Sequence, residues 1–431
     1  MTFAIYTLGC KVNSYETNVM IDALKRKGYI QVDFSEDSDI YIINTCTVTN
    51  TADNKSLKMI RQVINRNPDA IIIVVGCLVQ TNHEIIDTID GVDIILGNVH
   101  KSKIGDYIEE FLKERKQIKK IEDICNVEFE EMKINNFNKT RAFVKIQDGC
   151  NNYCSYCIIP YARGNVRSKK PESVISEIKE LVKNGHSEIV LTGIHTGSYG
   201  VDLIDYTLAK LLKKIVKIDG LKRLRISSIE ITELTDEFLE VLKDYPVIVN
   251  HMHIPLQSGS NEILKRMNRK YTVEYFIEMI NKLRKIRPDI LITTDVIVGF
   301  PGETEKFFQE TVNTINKIKF AKLHVFPYSK RKGTVAAKMD NQVDNVTKKR
   351  RVRELLKLSK KLETDAMNQF LNKEIEFIPE VYQDGYLIGH SGNYLLVKIN
   401  GEKDLINKLI NVKVKSIEYP FVVATKIDNH S

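Results

Sequence analysis

Several features that mark other classes of protein are missing from this sequence. No run of about eighteen apolar residues occurs, so no membrane-spanning helix is expected. The first residues, MTFAIYTLGCKVN, lack a basic region followed by an apolar core, so we expect a β-strand there and no secretion signal. Seven Cys in 431 residues are too few for a disulfide framework. We therefore expect a cytoplasmic protein whose reduced thiols are available as metal ligands.

Length and charge set broad limits on the architecture. The 431 residues suggest two to four domains, and 43% hydrophobic with 28% charged residues is an ordinary globular balance. The net charge of +8 is mild, so it permits a nucleic-acid partner without requiring one. Trp is absent, which on its own decides nothing.

One stretch, QDGCNNYCSYCIIPYARG at residues 147–164, carries three closely spaced thiols. Cys150, Cys154 and Cys157 form a C-x3-C-x2-C pattern. A four-iron cluster usually takes four Cys ligands, so three would leave one iron open for a substrate. Tyr156 precedes the last Cys and is placed to pack against a cofactor. The alternative is a structural zinc site, which usually needs paired C-x2-C units and a fourth nearby ligand that this stretch lacks.

Three further Cys are expected to meet in space. Residues 1–118 alternate strand and helix, which predicts an open parallel α/β domain. Cys10, Cys46 and Cys77 each follow a predicted strand, at residues 3–8, 40–43 and 71–75. The carboxyl ends of parallel strands share one edge of a sheet, where ligands bind. A second three-thiol cluster site is therefore predicted there, although a single buried Cys is more often a small hydrophobic residue. The first helix is expected to be capped by Ser14.

The segments that follow divide the rest of the chain. Residues 119–139 are charged and predicted to be a linker, and its Cys125 is interpreted as a free thiol. Residues 140–370 contain about six strand-helix units, fewer than the eight of a full barrel, so a partial barrel with a lateral opening is predicted. Polar strings follow its strands: TGIHTGSYG, SSIE, HIPLQSGS and VGFPGE.

Basic clusters follow the last barrel strand. They comprise Lys330, Arg331 and Lys332 and, at the start of a long helix, Arg350 and Arg351 with their neighbours. Such runs are usually solvated helix faces, but their position here favours contact with phosphates. Residues 371–431 hold five short strands separated by Gly or Asn turns, which predicts a small antiparallel β-barrel. The barrel is interpreted as an RNA-binding module, with a purely structural cap as the alternative.

The Cys motifs resemble those of a known family. The C-x3-C-x2-C loop looks like the signature of radical S-adenosylmethionine enzymes, and CIIPYARG, TLGCKVN, INTCTVTN and GCLVQ resemble the methylthiotransferases among them. The resemblance implies two [4Fe-4S] clusters, S-adenosylmethionine, a reductant such as flavodoxin or ferredoxin, and a terminal RNA-binding barrel of the TRAM type. It also implies that Gly193 and Gly299 approach S-adenosylmethionine by their backbone, with Glu230 and Gln257 near its ribose or methionyl group.

The resemblance also suggests a substrate. TLGCKVN, SSIE and HVFPYSKRKGT resemble the MtaB-type branch, which acts on N6-threonylcarbamoyladenosine in the tRNA anticodon loop. The resemblance implies that a radical formed at the Cys150 loop activates a C–H bond of the substrate. It also implies that the site formed by Cys10, Cys46 and Cys77 supplies the sulfur. The branches acting on N6-isopentenyladenosine or on a ribosomal protein remain alternatives, as does a non-catalytic iron–sulfur RNA-binding regulator. No membrane or DNA partner is expected.

Overall fold

Three β-sheet systems follow one another in this computed structural model, which describes residues 1–135, 137 and 139–427. A six-stranded sheet comes first, two three-stranded sheets follow, and a closed five-stranded barrel ends the chain. The predicted end of the last domain, residue 431, lies outside the described residues, as do residues 136 and 138 of the predicted linker. No helix in the described part is long and apolar enough to cross a membrane.

The first sheet is entirely parallel and confirms the predicted open α/β domain. Its strands are β1 (Thr2–Thr7), β2 (Ile30–Gln31), β3 (Ile40–Thr45), β4 (Ile71–Gly76), β5 (Ile94–Leu96) and β6 (Ile118–Lys120), and its helices are α1 (Lys11–Arg26), α2 (Asn50–Arg66), α3 (Cys77–Asp87) and α4 (Ile104–Glu114). The strand order is β2-β1-β3-β4-β5-β6. Every residue of β3 and β4 is buried, as expected of β-branched strands covered on both faces. The sequence did not predict β2, β5 or α3, and the edge strand β6 falls in the segment that was interpreted as linker or edge strand.

The start of α1 corrects the sequence-based expectation. The helix begins at Lys11 with Cys10 as its N-cap, one turn before the expected cap at Ser14. The thiol of Cys10 therefore lies at a helix N-terminus, where burial raises the pKa of Cys10 and the Arg163 charge and the backbone N–H of Asn13 oppose that rise.

The second region confirms the predicted partial barrel. Its strands are β7 (Arg141–Lys145), β8 (Gln147–Asp148), β9 (Arg167–Ser168), β10 (Glu188–Thr192), β11 (Arg223–Ile226), β12 (His251–His253), β13 (Leu291–Val298) and β14 (Lys322–Pro327). Two parallel sheets, β7-β10-β11 and β12-β13-β14, are joined by bridges from Leu224 to Ile248 and from Ser228 to His253. Six strands in chain order thus form one curved wall, and among the described residues its edge strands β7 and β14 do not pair.

Helices cover the outside of this wall. They are α6 (Pro171–Lys183), α7 (Leu208–Ile215), α8 (Asp236–Asp244), α9 (Asn261–Arg266), α10 (Val273–Ile286), α11 (Glu305–Ile318) and α12 (Asn345–Asn368), whereas α5 (Ile159–Arg163) follows the cysteine loop and lies against α3. Outward-facing strand residues such as Ala142, Val144 and Leu191 pack with Ile178 of α6 in the largest hydrophobic core. The inward-facing residues of the same strands are therefore left to line the lumen.

The last five strands close into the predicted small barrel. They are β15 (Glu374–Gln383), β16 (Tyr386–Ser391), β17 (Leu396–Asn400), β18 (Ile410–Glu418) and β19 (Phe421–Lys426). Pairing is antiparallel except between β17 and β19, which run parallel, so the fully antiparallel expectation was wrong at that seam. Alternate residues such as Phe377, Leu387, Val397 and Val412 fill its interior.

The small barrel covers the end of the curved wall that lies away from the cysteine loop. Arg223 donates from Nη1 to the carbonyl oxygen of His390 over 3.2 Å, and Arg225 donates from Nη2 to that of Ser391 over 3.3 Å. Thr140, just before β7, donates to Asn407 Oδ1 over 2.5 Å. These residues lie at the amino ends of their strands, so the lumen is closed at that end.

Candidate active site

The loop that carries Cys150, Cys154 and Cys157 is held shut at its base. Strands β8 and β9 pair on either side of it, and the N–H of Cys150 donates to the carbonyl of Gly164 over 3.0 Å. A side chain at Gly149, where φ is +73°, would strike the backbone oxygen of Asn165. Glycine is therefore needed for the two arms of the loop to approach this closely.

Arg269 contacts the middle thiol of the loop. Its Nη1 donates to Cys154 Sγ over 3.2 Å, and its Nη2 forms an ion pair with Glu230. Burial raises the pKa of Cys154, and the guanidinium opposes this effect. Burial also raises the pKa of Cys157 to about 12. Thiols buried in this way become thiolates only when a positive group compensates them, as iron would.

His195 lies beside the first thiol of the loop. Its Nδ1 is 3.8 Å from Cys150 Sγ, and its Nε2 is 2.6 Å from Glu233 Oε1. Burial disfavours the charged ring, but the hydrogen bonds with Cys150 and Glu233 outweigh it and raise the pKa of His195 to about 10. A cationic imidazolium therefore stands next to the sulfur of Cys150.

Cys10, Cys46 and Cys77 converge as predicted at the carboxyl ends of the neighbouring strands β1, β3 and β4. A Cβ added to Gly9 would lie 2.9 Å from Cys46 Cβ, so this glycine lets the β1 turn reach the second thiol. Burial, with smaller contributions from the other two thiols, raises the pKa of Cys46 to about 12. Asn98 Nδ2 lies 3.4 Å from Cys77 Sγ and donates to the Ala162 carbonyl over 2.7 Å, which links this site to α5.

A buried group of charges fills the space between the two thiol sites. The Glu16 carboxylate contacts Lys101, Lys145 (2.8 Å) and Arg163, and all four side chains are buried. Asp148 adds contacts to Lys145 at 2.6 Å and to Arg163 at 3.3 Å. Within this group the positive charges outnumber the negative ones. This excess of positive charge suits neighbouring sites that hold anionic thiolates. The thiolates in turn compensate the buried cations.

The thiols fit iron–sulfur clusters better than a single ion. Within the described residues, no group of three or more His, Cys, Asp or Glu side chains is arranged to hold a metal ion. A cluster binds each thiolate through a different iron, so its ligands are spread around it. N–H donors and cations lie beside both sets of thiols, and the sulfurs of a cluster accept hydrogen bonds from such groups.

The residues expected near S-adenosylmethionine occupy neighbouring positions on the wall. Gly193, Glu230, Gln257 and Gly299 follow β10, β11, β12 and β13 at their carboxyl ends, where ligands bind in such barrels. Gly193 lies against the Gln147 side chain, and a Cβ there would be 2.8 Å from Gln147 Oε1. The contact of these four residues with the cofactor stays a prediction.

Tyr156 lies on the inner side of the cysteine loop. Its ring meets Phe300 edge-on at 6.4 Å and packs against the apolar group that includes Ile263, Met267 and Tyr328. This packing ties the loop to the turn after β13. Its predicted contact with a cofactor remains a prediction.

The basic residues after β14 divide into exposed and buried groups. Lys330, Lys332 and Arg350 are exposed. Arg331 is buried and pairs with Asp53 at 2.6 Å, and Arg351 is buried and pairs with Glu303 at 2.7 Å. The guanidinium groups of Arg331 and Arg351 are thus occupied within the chain, so phosphate contact through these two does not fit their placement. Arg350 also pairs with Glu305 at 2.6 Å, but both of these side chains are about half exposed, so Lys330, Lys332 and Arg350 keep that prediction.

Comparisons with known proteins identify the family. Residues 2–97 match an uncharacterized protein family, UPF0004, and residues 144–315 match the radical SAM superfamily. The threonylcarbamoyladenosine tRNA methylthiotransferase MtaB of Bacillus subtilis (strain 168) is 49% identical over 97% of this chain and 95% of its own length. The chain belongs to the radical S-adenosylmethionine methylthiotransferases. A relative in Aquifex aeolicus, also named MtaB, is 38% identical over 96% of this methylthiotransferase and 100% of its own length.

Other relatives and solved structures extend the comparison. A tRNA-2-methylthio-N(6)-dimethylallyladenosine synthase of Thermoanaerobacter sp. (strain X514) is 38% identical over 96% of this methylthiotransferase and 90% of its own length. The methyltransferase TsrM from Kitasatospora setae, solved with cobalamin and a [4Fe-4S] cluster, aligns with a TM-score of 0.55 at 16% identity over 76% of this chain and 74% of its own. That likeness shows the fold. S-adenosylmethionine and [4Fe-4S] clusters are the cofactors of this methylthiotransferase.

Several site residues were not found by sequence reasoning. Arg163 lies inside CIIPYARG, and Lys145 directly follows the apolar residues Ala142, Phe143 and Val144 of its strand, which is a usable sign of a buried partner. His195 lies inside the polar string TGIHTGSYG. Glu16 and Arg269 gave no such sign, because their partners lie far away along the chain. Cys125 is exposed in a short turn, in keeping with the free thiol expected there.

Proposed function

We propose that this chain converts N6-threonylcarbamoyladenosine at position 37 of the tRNA anticodon loop into its 2-methylthio derivative. The observation that carries the proposal is the pairing of two three-thiol sites across one buried charge group, in a chain 49% identical over 97% of its length to a threonylcarbamoyladenosine tRNA methylthiotransferase. One radical-generating site alone would support many reactions. Two sites give separate places for C–H activation and for sulfur.

The residues divide the work between the two sites. Cys150, Cys154 and Cys157 would hold the cluster that binds S-adenosylmethionine, while Cys10, Cys46 and Cys77 would hold the auxiliary cluster. When bound, these groups supply electron transfer to the sulfonium and a place for sulfur. Side chains of the protein would position the two clusters. Arg269 and His195 flank the thiols of the cysteine loop. Asn98 contacts Cys77 and donates to the carbonyl of Ala162, which follows that loop.

The open side of the curved wall suits a macromolecular substrate. Lys330, Lys332 and Arg350 are exposed near β14, an edge strand of the wall, and would contact the tRNA backbone. The C-terminal barrel would add RNA contacts. The electron donor is proposed to be a flavodoxin or ferredoxin. The protein is proposed to act in the cytoplasm, where tRNA is modified.

Nucleoside mass spectrometry tests the substrate. Deleting the gene is expected to remove 2-methylthio-N6-threonylcarbamoyladenosine from bulk tRNA and to leave the unmethylthiolated nucleoside in its place. Complementation with the intact gene restores it, and complementation with Cys150→Ala does not. If that nucleoside is unchanged while the 2-methylthio derivative of dimethylallyladenosine is lost, the chain acts on the other substrate.

A further inference from the structure

Phe326 is a large aromatic side chain that β14 presents to the lumen of the curved wall. Leu323 and Val325 of the same strand pack outward into the largest hydrophobic core. Successive side chains of a strand point to opposite faces, so Phe326 points inward. It is nevertheless 46% exposed, and among the residues that the structure describes no aromatic ring or cation packs against its ring. Scattered apolar residues are ordinary on outer surfaces, but this ring lies open on a concave one.

The wall beside Phe326 is apolar and leads to the cysteine loop. Phe326 is paired in register with Ile297 of β13. Ile297 packs against the apolar group that contains Tyr156 of the cysteine loop. On its other side, the N–H of Ile297 donates to the carbonyl oxygen of Gln257 over 2.9 Å. One strand therefore separates Phe326 from Gln257, a residue predicted to lie near S-adenosylmethionine.

The next layer of the lumen, toward the C-terminal barrel, is polar. His324 lies two residues before Phe326 on the same face of β14, and its ring centroid is 5.5 Å from that of His253. His253 Nε2 lies 3.3 Å from Asp295 Oδ1. The apolar surface that suits the flat face of a base is therefore at the level of Phe326, at the carboxyl end of the wall.

The segment that follows Phe326 leads to the auxiliary thiol site. Arg331 Nη2 donates to Thr47 Oγ1 over 2.5 Å, and Thr47 directly follows Cys46. Between Phe326 and Arg331, the side chain of Lys330 is exposed. Phe326 thus lies on the strand whose end joins the curved wall to the domain that carries the second thiol set.

We propose that Phe326 is the platform on which the base of tRNA nucleotide 37 stacks. This inference rests on the proposed function. The carbon that receives sulfur must be reached from both thiol sites, so the base has to lie between them. Unpaired bases of single-stranded RNA are held by stacking on aromatic side chains, and Phe326 is an open ring in that position. Lys330, four residues further on, is placed to contact a neighbouring phosphate.

Binding of short RNA hairpins tests the stacking without turnover. Anticodon stem-loops would carry N6-threonylcarbamoyladenosine or an abasic nucleotide at position 37, and anaerobically reconstituted protein would be titrated by fluorescence anisotropy. Phe326→Ala is expected to weaken binding of the hairpin with the base about tenfold, a typical loss when one stacking ring is removed. Binding of the abasic hairpin should stay unchanged, which also shows that the variant is folded.

Three further variants define the contact. Phe326→Tyr keeps an aromatic face and should bind both hairpins like the wild-type protein. Phe326→Leu keeps apolar volume without a ring and should behave like Phe326→Ala. Tyr275→Ala is the matched control, because Tyr275 is 37% exposed on α10, outside the wall, and its loss should change neither affinity.

The outcomes separate the stacking from the proposed function. Equal loss of affinity for both hairpins in Phe326→Ala would place the ring on another part of the RNA and overturn the proposal. Wild-type affinity in Phe326→Leu would show apolar contact without stacking and would also overturn it. If wild-type protein methylthiolates the tRNA but binds the two hairpins equally, the subsite alone fails. Wild-type protein that neither prefers the hairpin with the base nor methylthiolates the tRNA contradicts the proposed function.

Discussion

Arg269 donates a hydrogen bond from Nη1 to the sulfur of Cys154 over 3.2 Å. A cationic donor on a cluster ligand stabilises the more negative, reduced cluster, because hydrogen bonds to the sulfurs help to set its potential. We predict that Arg269→Gln lowers the reduction potential of this cluster by about 60 mV or more, the one-electron equivalent of a charged hydrogen bond.

Redox titration followed by electron paramagnetic resonance measures this potential, in a Cys46→Ala background so that one cluster contributes. Arg266→Gln is the matched control, because Arg266 is exposed and, among the residues that the structure describes, its guanidinium ion-pairs only with Glu262 on its own helix. A potential that is the same in Arg269→Gln and Arg266→Gln would show that the guanidinium does not tune the cluster.

The buried Glu16 carboxylate is predicted to be essential for stability. Glu16→Gln leaves Lys101, Lys145 and Arg163 without their shared counter-charge, which is expected to cost about 3 kcal/mol or more of unfolding free energy. Glu109→Gln removes a half-exposed partner of Lys27, and its effect on the unfolding free energy should be much smaller because solvent screens the pair. Urea unfolding of the apoprotein compares the two, and equal losses would contradict the account of the charge group.

Iron content tests the assignment of the six thiols. Cys46→Ala and Cys154→Ala are each expected to lose about half of the iron and sulfide of the reconstituted wild-type protein, because each set holds one four-iron cluster. Cys125→Ser should keep the wild-type content, since that thiol is exposed in a turn. Chemical iron and sulfide analysis decides, and a loss in Cys125→Ser would mean that a ligand was misassigned.

Two adjacent basic residues are predicted to have different roles, Lys332 in tRNA binding and Arg331 in stability. Lys332→Gln should weaken tRNA binding and reduce the slope of log affinity against log salt by about one, with stability unchanged. Arg331→Gln removes contacts to Asn50, Asp53 and Thr47 that join the loop after β14 to the first domain, so it should lower the midpoint of thermal unfolding. Binding at several salt concentrations and scanning calorimetry test both. The reverse pattern would place Arg331 on the RNA.

Short-range patterns let the sequence predict the thiol sites and the three-part fold. The spacing of Cys150, Cys154 and Cys157 is local, and the convergence of Cys10, Cys46 and Cys77 follows from the edge that parallel strands share. Short strands such as β2, with two residues, carry too little pattern to be predicted. The earlier start of α1 was missed because a Cys rarely marks a helix N-terminus.

The charged contacts were the hardest part to predict. Glu16 and Arg163 are 147 residues apart, and no local rule pairs them. Arg351 was predicted to contact phosphate because it lies in a basic run. Yet the buried face of α12 carries residues at helical spacing, namely Arg351, Leu355, Ser359 and Leu362. This helical periodicity was visible in the sequence. Composition identifies a basic segment. Which of its residues are free to contact RNA depends on which face of the helix packs against the rest of the protein.

The division of labour between the two thiol sites is most directly tested in a single reaction. Reconstituted wild-type and Cys46→Ala proteins would be given S-adenosylmethionine, reductant, sulfide and tRNA that carries N6-threonylcarbamoyladenosine, and both 5′-deoxyadenosine and modified nucleosides would be measured by mass spectrometry. We predict that Cys46→Ala forms 5′-deoxyadenosine and no 2-methylthio product, while wild-type protein forms both. Normal methylthiolation by Cys46→Ala would contradict the account.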